Sequence, residues 1–476
     1  MQNTLVLKFG GTSVGNAKAI RQIIEIARKA KSEWRNVAIV VSAMSGVTDL
    51  LLNGAAAAVA GDEHIAEKTA AELLKKHFAV LDELAPEANE VRDFIESSLN
   101  EFVTLAHAIR VLGEASPRAL DAIASLGERM SAPVVSAALR HAGIRSESVD
   151  AREVVLTDSI FQAAVPDFDA TTRNAQRVLW PLFQAGDVPV ITGFIGADER
   201  GVVTTLGRGG SDFSGAIFGV VLDADEVWIY TDVTGVMTTD PRIDPRARTI
   251  PELSFREISE LAFYGAKVLH PKAIRPVVEK GITLWVKNTF APDLAGTRIV
   301  ADGLAQLGDL RAVTAFKGQS IITVEGRGMI GIPGIAARTF GAVARENTSI
   351  VMISQASSEQ SICFVVPNNT ADAVVKALET EFRLELNRRD IDSIQKSGET
   401  AIITIVGAGM RATPGLAGKI FTATGQAGVN VIAIAQGSSE CSISLVVDSA
   451  DAQKAVLAVH ELIVNTSPPE ERRDTV

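Results

Sequence analysis

Residues 5–14, near the start of the sequence, combine residue types that could bind a phosphate group. Three apolar residues predict a short strand, Lys8 follows them with a positive charge, and Gly10 and Gly11 leave backbone N–H groups accessible. A helical pattern then begins at Asn16, and a helix N-terminus carries unpaired amides and about half a positive charge. The pattern predicts an anion site. A plain strand-to-helix turn remains the alternative, because neither the P-loop spacing nor GxGxxG is present.

A second glycine-rich loop, residues 204–215, carries both signs of charge at another predicted helix start. Three glycines surround Arg208, and Asp212 follows in the helical segment. Each glycine costs backbone entropy on folding, so three of them around one arginine would be wasteful in a plain turn. We therefore interpret this loop as functional.

Further polar residues follow a predicted buried strand that begins at Glu226. Thr231 and Asp232 lie at its carboxyl end, which is where open α/β sheets place their ligands. Two more cations, Arg242 and Lys267, lie close to turn or glycine residues. Together with the lysine and arginine of the two glycine-rich loops, they form the set of positive charges that a triphosphate needs.

The elements that would position these residues follow an α/β order. Residues 36–41 form a continuous apolar run, typical of a parallel strand buried on both faces. Residues 50–139 have the composition of several helices. Strand patterns return at residues 148–155 and 188–195. The order strand, glycine turn, helix, strand predicts that the chain begins with a βαβ unit.

Two segments of this region could contact a ligand. A hydroxyl-rich loop, residues 42–48, follows the second strand. Within the helical region, residues 125–131 place Glu128 directly after a glycine in an apolar neighbourhood. Most glutamates in such a pattern are solvated, so the local pattern alone favours a surface role over a binding role for Glu128.

Composition limits the function classes. The 476 residues are 47% hydrophobic and 22% charged, as in globular proteins of two or three domains. A net charge of −11 argues against nucleic acid and anionic membranes as partners. The sequence offers no signal segment or membrane span. Two cysteines and six scattered histidines indicate a reducing cytoplasm and no protein-held metal site.

The last third of the sequence contains an internal repeat with a constant offset. Gly328 and Met329 match Gly409 and Met410, and the same offset relates residues 333–334 to 414–415 and 358–359 to 439–440. Such a repeat predicts two copies of one small βαββαβ unit. The copies also match at Gln355 and Gln436, each before a Ser-Ser-Glu run. Two effector sites are the preferred interpretation, with mere packing of the copies as the alternative.

Six motifs occur in an order that resembles the aspartate kinases of the amino-acid kinase family. They are KFGGTSV at Lys8, SAMSGVT at Ser42, SLGERMS at Ser125, TTLGRGGSD at Thr204, TDVTGVMTTDPR at Thr231 and GAKVLHP at Gly265. The resemblance implies a three-layer αβα kinase domain over residues 1–300. It also implies transfer of the γ-phosphate of ATP to the side-chain carboxylate of L-aspartate, giving 4-phospho-L-aspartate, the first step towards lysine, threonine and methionine.

The resemblance assigns site residues by motif position. Those facing the transferred phosphate would be Lys8, Gly10, Gly11 and Ser13; those holding the nucleotide would be Thr231, Asp232, Met237, Arg242 and Lys267; those holding aspartate would be Ser42, Thr48, Glu128, Arg208 and Ser211. Relatives can carry tyrosine where this chain has Met237. Mg²⁺ would bridge the β and γ phosphates, and we expect Asp212 to orient Lys8 or a second lysine. A carboxylate nucleophile is already ionised at neutral pH, so no general base is needed.

The repeat units resemble the paired ACT domains that follow aspartate kinase catalytic domains. They would occupy residues 313–395 and 399–465, followed by a flexible tail at 466–476. The resemblance implies inhibition by an end-product amino acid at Met329, Gln355 and Gln436, with threonine favoured and lysine as the runner-up. No dinucleotide-binding domain follows the second unit, so we expect a monofunctional enzyme. ACT pairs commonly associate, so a homodimer or homotetramer is expected.

Two rival functions remain open. One is another amino-acid kinase, against which the loops of Glu128 and Arg208 weigh. The other is an amino-acid sensor without catalysis. A pure sensor would not need the charges of Lys8, Arg208 and Asp212, so the sequence favours the kinase.

Overall fold

The structure is a computed structural model. It describes residues 2–265, 269, 271–301, 310–329, 331–355, 360–408, 410, 413–436 and 441–466. The chain divides into two compact units. The first comprises Met1–Val236, Thr249–Phe255 and Lys267–Gly303, and the second comprises Met237–Arg248, Arg256–Ala266 and Leu304–Val476.

The first unit is built on an eight-stranded sheet. Its elements, in chain order, are β1 (Gln2–Phe9), α1 (Ala17–Glu33), β2 (Trp34–Val41), α2 (Val47–Val59), α3 (Ile65–Leu84), α4 (Asn89–Leu112), α5 (Pro117–His141), β3 (Ser146–Val149), α6 (Phe168–Ala185), β4 (Val188–Thr192), β5 (Ile195–Ala197), β6 (Val203–Thr205), α7 (Gly210–Val221), β7 (Glu226–Thr231) and β8 (Glu252–Ser254). After α8 (Phe255–Phe263), the chain continues through α9 (Pro271–Glu279), β9 (Thr283–Asn288) and β10 (Thr297–Val300). The strand order is β3-β4-β2-β1-β7-β9-β10-β8.

The strands from β3 to β9 in this order are parallel, which explains the continuous buried runs of β2 and β4. Alternate residues of β1 face opposite layers. Leu5, Leu7 and Phe9 pack in one core with α1 and the helices α2–α5. On the other face, a Cβ at Gly219 of α7 would lie 2.4 Å from Val227 of β7, so α7 approaches the sheet closely. Helices therefore cover both faces, giving the predicted three layers.

Two of the predicted strands differ from the observed elements. The strand predicted at 148–155 ends at Val149, because the Asp150 carboxylate accepts a hydrogen bond from the Arg152 amide and starts a 3₁₀ turn. The strand predicted at 188–195 is divided between β4 and β5. Phe194, at the division, has a left-handed φ of 67°, which strand geometry excludes.

The second unit contains a six-stranded antiparallel sheet. Its elements are α8, β11 (Leu310–Glu325), α10 (Ile335–Arg345), β12 (Met352–Gln355), β13 (Ser361–Pro367), α11 (Asn368–Glu381), α12 (Arg383–Arg388), β14 (Ser393–Gly407), α13 (Leu416–Gln426), β15 (Val431–Ala435), β16 (Ser442–Asp448) and α14 (Ala452–Thr466). The strand order is β12-β13-β11-β14-β16-β15. At both bounds, α13 and β16 follow α10 and β13 by the offset of the sequence repeat, so the structure reproduces that repeat.

The two copies have separate hydrophobic cores but share their central strands. Ile322 and Val324, in the second half of β11, pack in the core of the first copy. Leu310 and Val313, in the first half of the same strand, pack with the residues of the second copy. β11 and β14 pair antiparallel along their length. The domain limits 313–395 and 399–465 stay predictions.

A buried polar chain fixes the segment Met237–Arg248 within the second unit. His460 of α14 is fully buried, with its Nε2 atom 2.8 Å from the Thr238 hydroxyl and its Nδ1 atom 2.8 Å from an Asp244 oxygen. Hydrogen bonds from Arg246 and from His460 hold the pKa of Asp244 well below its usual range. The segment is therefore anchored to helix α14, although it precedes both copies of the repeat in sequence.

None of the helices in the described residues combines the length and the apolar content that a bilayer span requires.

A buried histidine makes stability depend on pH. His77 of α3 is fully buried, its Nδ1 atom lies 2.7 Å from the Leu73 carbonyl, and within the described residues its Nε2 atom has no hydrogen-bond partner. Burial lowers the pKa of His77 to about 4. The unfolded chain therefore binds the proton more readily, and stability falls as the pH drops from about 6.5 towards 4.

We expect His77→Gln to flatten the acid side of the stability profile. Removing the imidazole should abolish a pH-dependent loss of about 2 kcal/mol at pH 5 relative to pH 7.5. Urea unfolding of the variant and wild type at both pH values measures the difference. The matched change at the exposed His141 should leave the profile unchanged. Equal profiles for His77→Gln and wild type would contradict the burial argument.

Candidate active site

A cleft of about 460 Å³ opens at the carboxyl ends of β1, β2 and β7. This edge is where parallel sheets place ligands, because loops from neighbouring strands converge there. Its walls come from five segments of the first unit. The lining residues are Lys8, Gly10, Gly11, Thr12, Ser42, Ala43, Met44, Ser45, Gly46, Thr48, Asp49, Glu128, Ser211, Asp212, Ile229, Tyr230, Thr231 and Asp232.

Lys8 is the buried cation of the cleft. Only 5% of the residue is exposed, and its ammonium group forms an ion pair with Asp212 from the first turn of α7. A Cβ at Gly215, one turn further along α7, would lie 3.0 Å from the Lys8 Cβ and 3.3 Å from its Cγ. Glycine at position 215 therefore leaves the space in which the lysine side chain extends towards Asp212.

The glycine turn after β1 is held by backbone hydrogen bonds. The Gly10 amide donates to the Tyr230 carbonyl at 3.3 Å, and the Ser45 amide donates to the Gly11 carbonyl at 3.1 Å. In the described part of the chain, the amides of Gly11 and Thr12 donate no backbone hydrogen bond. A Cβ at Gly11 would lie 3.1 Å from the Ala43 carbonyl oxygen. The turn thus offers accessible amides in a space that a larger residue would fill.

The helix after this turn begins where the sequence predicted it, but its N-terminal residues do not line the cleft. α1 has its N-cap at Asn16, whose side chain accepts a hydrogen bond from the Ala19 amide at 3.0 Å. The first turn of α1 is therefore capped by the protein itself and contributes no residue to the cleft. The helices whose N-terminal residues do line the cleft are α2, through Thr48 and Asp49, and α7.

The hydroxyl-rich loop after β2 is positioned by α5. The Ser131 hydroxyl donates to the Ser42 carbonyl at 2.7 Å, and the Ala43 amide hydrogen-bonds Glu128. A Cβ at Gly127 would lie 2.8 Å from that of Ala43, so the helix and loop touch without a side chain between them. These contacts bring the Ser42 and Glu128 motifs, which are distant in sequence, to one wall.

Glu128 is a buried acid with unused hydrogen-bonding capacity. Only 3% of the residue is exposed, and its Oε2 atom has no hydrogen-bond partner among the described residues. Burial raises the pKa of Glu128 to about 8, although the Ala43 amide and the charge of Lys8 oppose the shift. The surface position that the local sequence pattern favours for Glu128 is therefore wrong. A cationic ligand in the cleft would satisfy the free oxygen.

The polar end of β7 completes the cleft. Thr231 and Asp232 both line it, and the Thr231 hydroxyl donates to the Asp232 carboxylate at 3.2 Å. Beneath them, Tyr230 stacks on Phe9 with ring centroids 4.9 Å apart. This stacking joins the ends of the neighbouring strands β1 and β7, so the two polar segments are fixed relative to each other.

Several residues assigned by motif position do not line the cleft. Ser13 is fully buried, and its hydroxyl lies 2.6 Å from that of Thr289. Arg208 is exposed, between two glycines with left-handed φ values of 75° and 74°. Met237 and Arg242 belong to the second unit, where Arg242 pairs with Asp240 at 2.6 Å. Lys267 lies outside the described residues.

The residues expected to bind an effector are all in the second unit. Met329 is buried in the core of the first repeat. Gln355 ends β12 and Gln436 follows β15, and both are exposed. The Ser-Ser-Glu runs after both glutamines lie outside the described residues.

Sequence reasoning missed some cleft residues and one supporting residue. Thr12, Ser45 and Asp49 line the cleft, and their position inside or next to the quoted motifs could have indicated them. Asp121 supports the loop of Arg208 because it accepts hydrogen bonds from Gln162 and Thr205. These residues lie 41 and 84 positions further along the sequence, so no local pattern shows the contacts. Within the described residues, no group of three or more metal-ligating side chains occurs.

Comparisons with known proteins agree on the family. The model of the amino acid kinase family matches residues 3–288, and an ACT domain model matches residues 322–382 and 403–462. The bifunctional aspartokinase/homoserine dehydrogenase 2 of Arabidopsis thaliana is 36% identical over 465 residues, which are 96% of this chain and 50% of that protein. This chain thus spans about half the length of the bifunctional relatives. The lysine-sensitive aspartokinase 3 of Escherichia coli is 31% identical, with 97% of this chain and 99% of that protein covered.

Solved structures give the same result. Escherichia coli aspartokinase III in complex with aspartate and ADP has a TM-score of 0.80 at 29% identity, covering 97% of this chain and 100% of that one. The Clostridium acetobutylicum aspartate kinase has a TM-score of 0.80 at 26% identity, covering 96% and 100%. These matches confirm the predicted fold class, an amino-acid kinase domain followed by two ACT domains. The chain belongs to the amino acid kinase family and carries C-terminal ACT domains.

Proposed function

We propose that the protein is an aspartate kinase that transfers the γ-phosphate of ATP to the side-chain carboxylate of L-aspartate. The observation that carries the proposal is that one cleft contains both groups that can bind an anion and a group that can bind a cation. A buried ammonium, Lys8, lies beside accessible backbone amides, while a buried acid, Glu128, has a free oxygen. The first set suits a phosphoryl group and the second suits the ammonium of an amino acid. The E. coli structure with aspartate and ADP supports these ligands by similarity.

The proposed reaction needs positioning and charge neutralisation. An oxygen of the aspartate side chain attacks the γ-phosphorus, the bond from that phosphorus to the β–γ bridging oxygen breaks, and ADP leaves with the electron pair. The products are 4-phospho-L-aspartate and ADP, and no proton is transferred. Lys8 and the amides of Gly11 and Thr12 neutralise charge on the phosphoryl oxygens. Asp212 holds the Lys8 ammonium in place through their ion pair.

The proposed aspartate site uses the other wall of the cleft. Glu128 pairs with the α-ammonium, and the hydroxyls of Ser42, Thr48 and Ser211 contact the substrate. Arg208 grips the α-carboxylate with its planar guanidinium. Its exposed position between two left-handed glycines supports a side chain that reorients when the substrate arrives.

The proposed nucleotide site continues from the end of β7. Thr231 and Asp232 line the cleft, and Met237, Arg242 and Lys267 are assigned to the nucleotide by motif resemblance. Mg²⁺ would enter with ATP, because this ion keeps its waters and binds through phosphates and one or two carboxylates. The carboxylates of Asp212 and Asp232 face the cleft and fit that demand. We place the enzyme in the cytoplasm.

Regulation by an end-product amino acid forms part of the proposal. The matched Gln355 and Gln436 would contact the effector, and Met329 would line its site from the first core. Threonine remains the favoured effector, because residues 353–359 resemble the threonine-responsive type. Lysine is the second candidate, since an E. coli relative has been solved with lysine and aspartate. A homodimer or homotetramer through the ACT domains is the expected assembly.

The first test concerns Lys8. Lys8→Ala should lower kcat at least a hundredfold, because one donor to the transition state contributes about 3 kcal/mol. The measurement is aspartyl hydroxamate formed from aspartate and ATP. Lys18→Ala, at an exposed position on α1, is the control and should retain wild-type turnover. A Lys8→Ala enzyme that keeps most of its kcat would refute the assignment. Absence of product in the wild type would favour the sensor or another substrate.

The second test concerns Glu128 and pH. Because burial raises the pKa of Glu128 to about 8, the group must ionise to pair with an ammonium. The kcat/KM for aspartate should therefore rise with pH up to about 8, and Glu128→Gln should remove the rise and lower kcat/KM at least a hundredfold. A pH profile of hydroxamate formation measures both effects. A variant that keeps the wild-type profile would contradict the role of Glu128.

The same change should have the opposite effect on stability. The pKa of Glu128 is higher in the folded protein than in the unfolded chain, so the unfolded chain loses its proton first. Stability therefore falls as the pH rises from about 4.5 to 8. Glu128→Gln should therefore melt higher than wild type at pH 9 and similarly at pH 5. Glu96→Gln, at an exposed position on α4, is the control. A lower Tm for Glu128→Gln at pH 9 would contradict the desolvation argument.

The third test identifies the effector. Titration calorimetry and inhibition assays with threonine and with lysine should show binding and inhibition by threonine, weakened at least tenfold by Gln355→Ala. Gln436→Ala separates the contributions of the two copies. Heat and inhibition with lysine alone would reverse the ranking. No effect of either amino acid would contradict end-product control by these two.

A further inference from the structure

Asp121 is a buried carboxylate that the reaction described above does not use. It lies in α5, the helix that also carries Glu128 and Ser131, and only 1% of it is exposed. Among the described residues it forms no salt bridge with a lysine, arginine or histidine. A buried carboxylate without a cation persists only where hydrogen bonds replace its hydration.

Three hydrogen bonds satisfy Asp121, and they come from Gln162 and from Thr205 at the end of β6. Its Oδ2 atom accepts from the backbone amides of Gln162 and Thr205, each at 2.9 Å. Its Oδ1 atom accepts from the Thr205 hydroxyl at 2.8 Å. One side chain therefore joins α5 to two segments that are distant in sequence.

Both segments adjoin the loop of Arg208. Thr205 ends β6, and only Leu206 and Gly207 separate it from the arginine. Gln162 has a left-handed φ of 67°, a strained conformation that persists where its surroundings fix it. Its carbonyl oxygen would lie 2.6 Å from a Cβ at Gly207, so the 162 loop supports the arginine loop from one side. The Thr205 carbonyl in turn accepts a hydrogen bond from the Ala164 amide at 3.0 Å.

We propose that Asp121 is a positioning residue for substrate binding, which holds the Arg208 loop in a fixed relation to Glu128. Both acids lie on α5, seven residues or about 10.5 Å apart along the helix axis. Ser131, on the same helix, holds the loop of Ser42. One helix thus positions Glu128, the group for the α-ammonium, directly. It positions Arg208, the group for the α-carboxylate, through Asp121. This inference rests on the function proposed above.

The proposal predicts a selective defect. Asp121→Ala should raise the KM for aspartate about tenfold and leave the KM for ATP and kcat within about threefold, because Arg208 binds ground state and transition state alike. Asp121→Asn should restore most of the affinity. Its amide oxygen can accept from both backbone amides, while its NH₂ group can donate to the Thr205 hydroxyl.

Two competitive inhibitors separate positioning from general damage. Succinate keeps both carboxylates of aspartate but lacks the ammonium, whereas β-alanine keeps the ammonium and lacks the α-carboxylate. In Asp121→Ala the Ki of succinate should rise in parallel with the KM for aspartate, and the Ki of β-alanine should stay within twofold. Glu128→Gln is the matched control and should show the reverse pattern.

The outcomes are distinct. Parallel rises for both inhibitors, an unchanged KM for aspartate, or failure of Asp121→Asn to restore affinity would each overturn the positioning role. If Asp121→Ala does not fold, Thr205→Val removes one of the three hydrogen bonds and should raise the succinate Ki about threefold; an unchanged Ki would overturn the proposal. Wild-type hydroxamate formation is measured first, so a failure of the proposed function is recognised separately.

Discussion

The candidate site depends on one buried ammonium group. Lys8 lies near the end of a strand inside a parallel sheet, where most side chains are apolar, and its ion pair with Asp212 offsets part of the cost of removing it from water. The parallel arrangement of β1, β2 and β7 brings their loops to the same edge. Glycine at position 215 then allows α7 to approach closely enough for the pairing. The remaining cleft residues are arranged around this pair.

The charge balance of the cleft explains the state of Glu128. Lys8 supplies one positive charge close to Asp212, and the Glu128 carboxyl lies in a water-poor wall nearby. The favourable effect of Lys8 on Glu128 is smaller than the cost of burial. In the proposed reaction, aspartate brings the second cation as its α-ammonium. Substrate binding would then ionise Glu128. Part of the specificity for an amino acid therefore comes from the α-ammonium charge, which the substrate supplies and the free cleft lacks.

Much of the fold could be predicted from sequence. Continuous apolar runs identified β2 and β7, and the constant offset between matching residues identified the repeat, because both signals are local or periodic. The cleft residues of the Lys8 and Ser42 motifs were also predictable, since polar residues that follow parallel strands converge at one edge. The structure places Ser13 in a hydrogen bond with Thr289 instead, a contact between distant segments that no spacing reveals.

Other features depended on tertiary contacts. The burial of Glu128 follows from the packing of Gly127 against Ala43, and the attachment of residues 237–248 to the second unit follows from His460. Asp121 resembles an ordinary helical aspartate in sequence. Its role becomes visible only when the backbone amides of Gln162 and Thr205 are placed around it.

The shared strand β11 has a consequence for synthesis on the ribosome. Its first half packs in the core of the second copy, and Ala315 pairs with Ile403, which is made much later. At a translation rate of about 5–20 residues per second, this apolar half-strand remains unpaired for roughly 4 to 18 seconds before its partner is synthesised. The first copy can close its core around the second half of β11 during that interval. The nascent chain therefore carries an unpaired strand edge beside the first copy, and such an edge promotes aggregation.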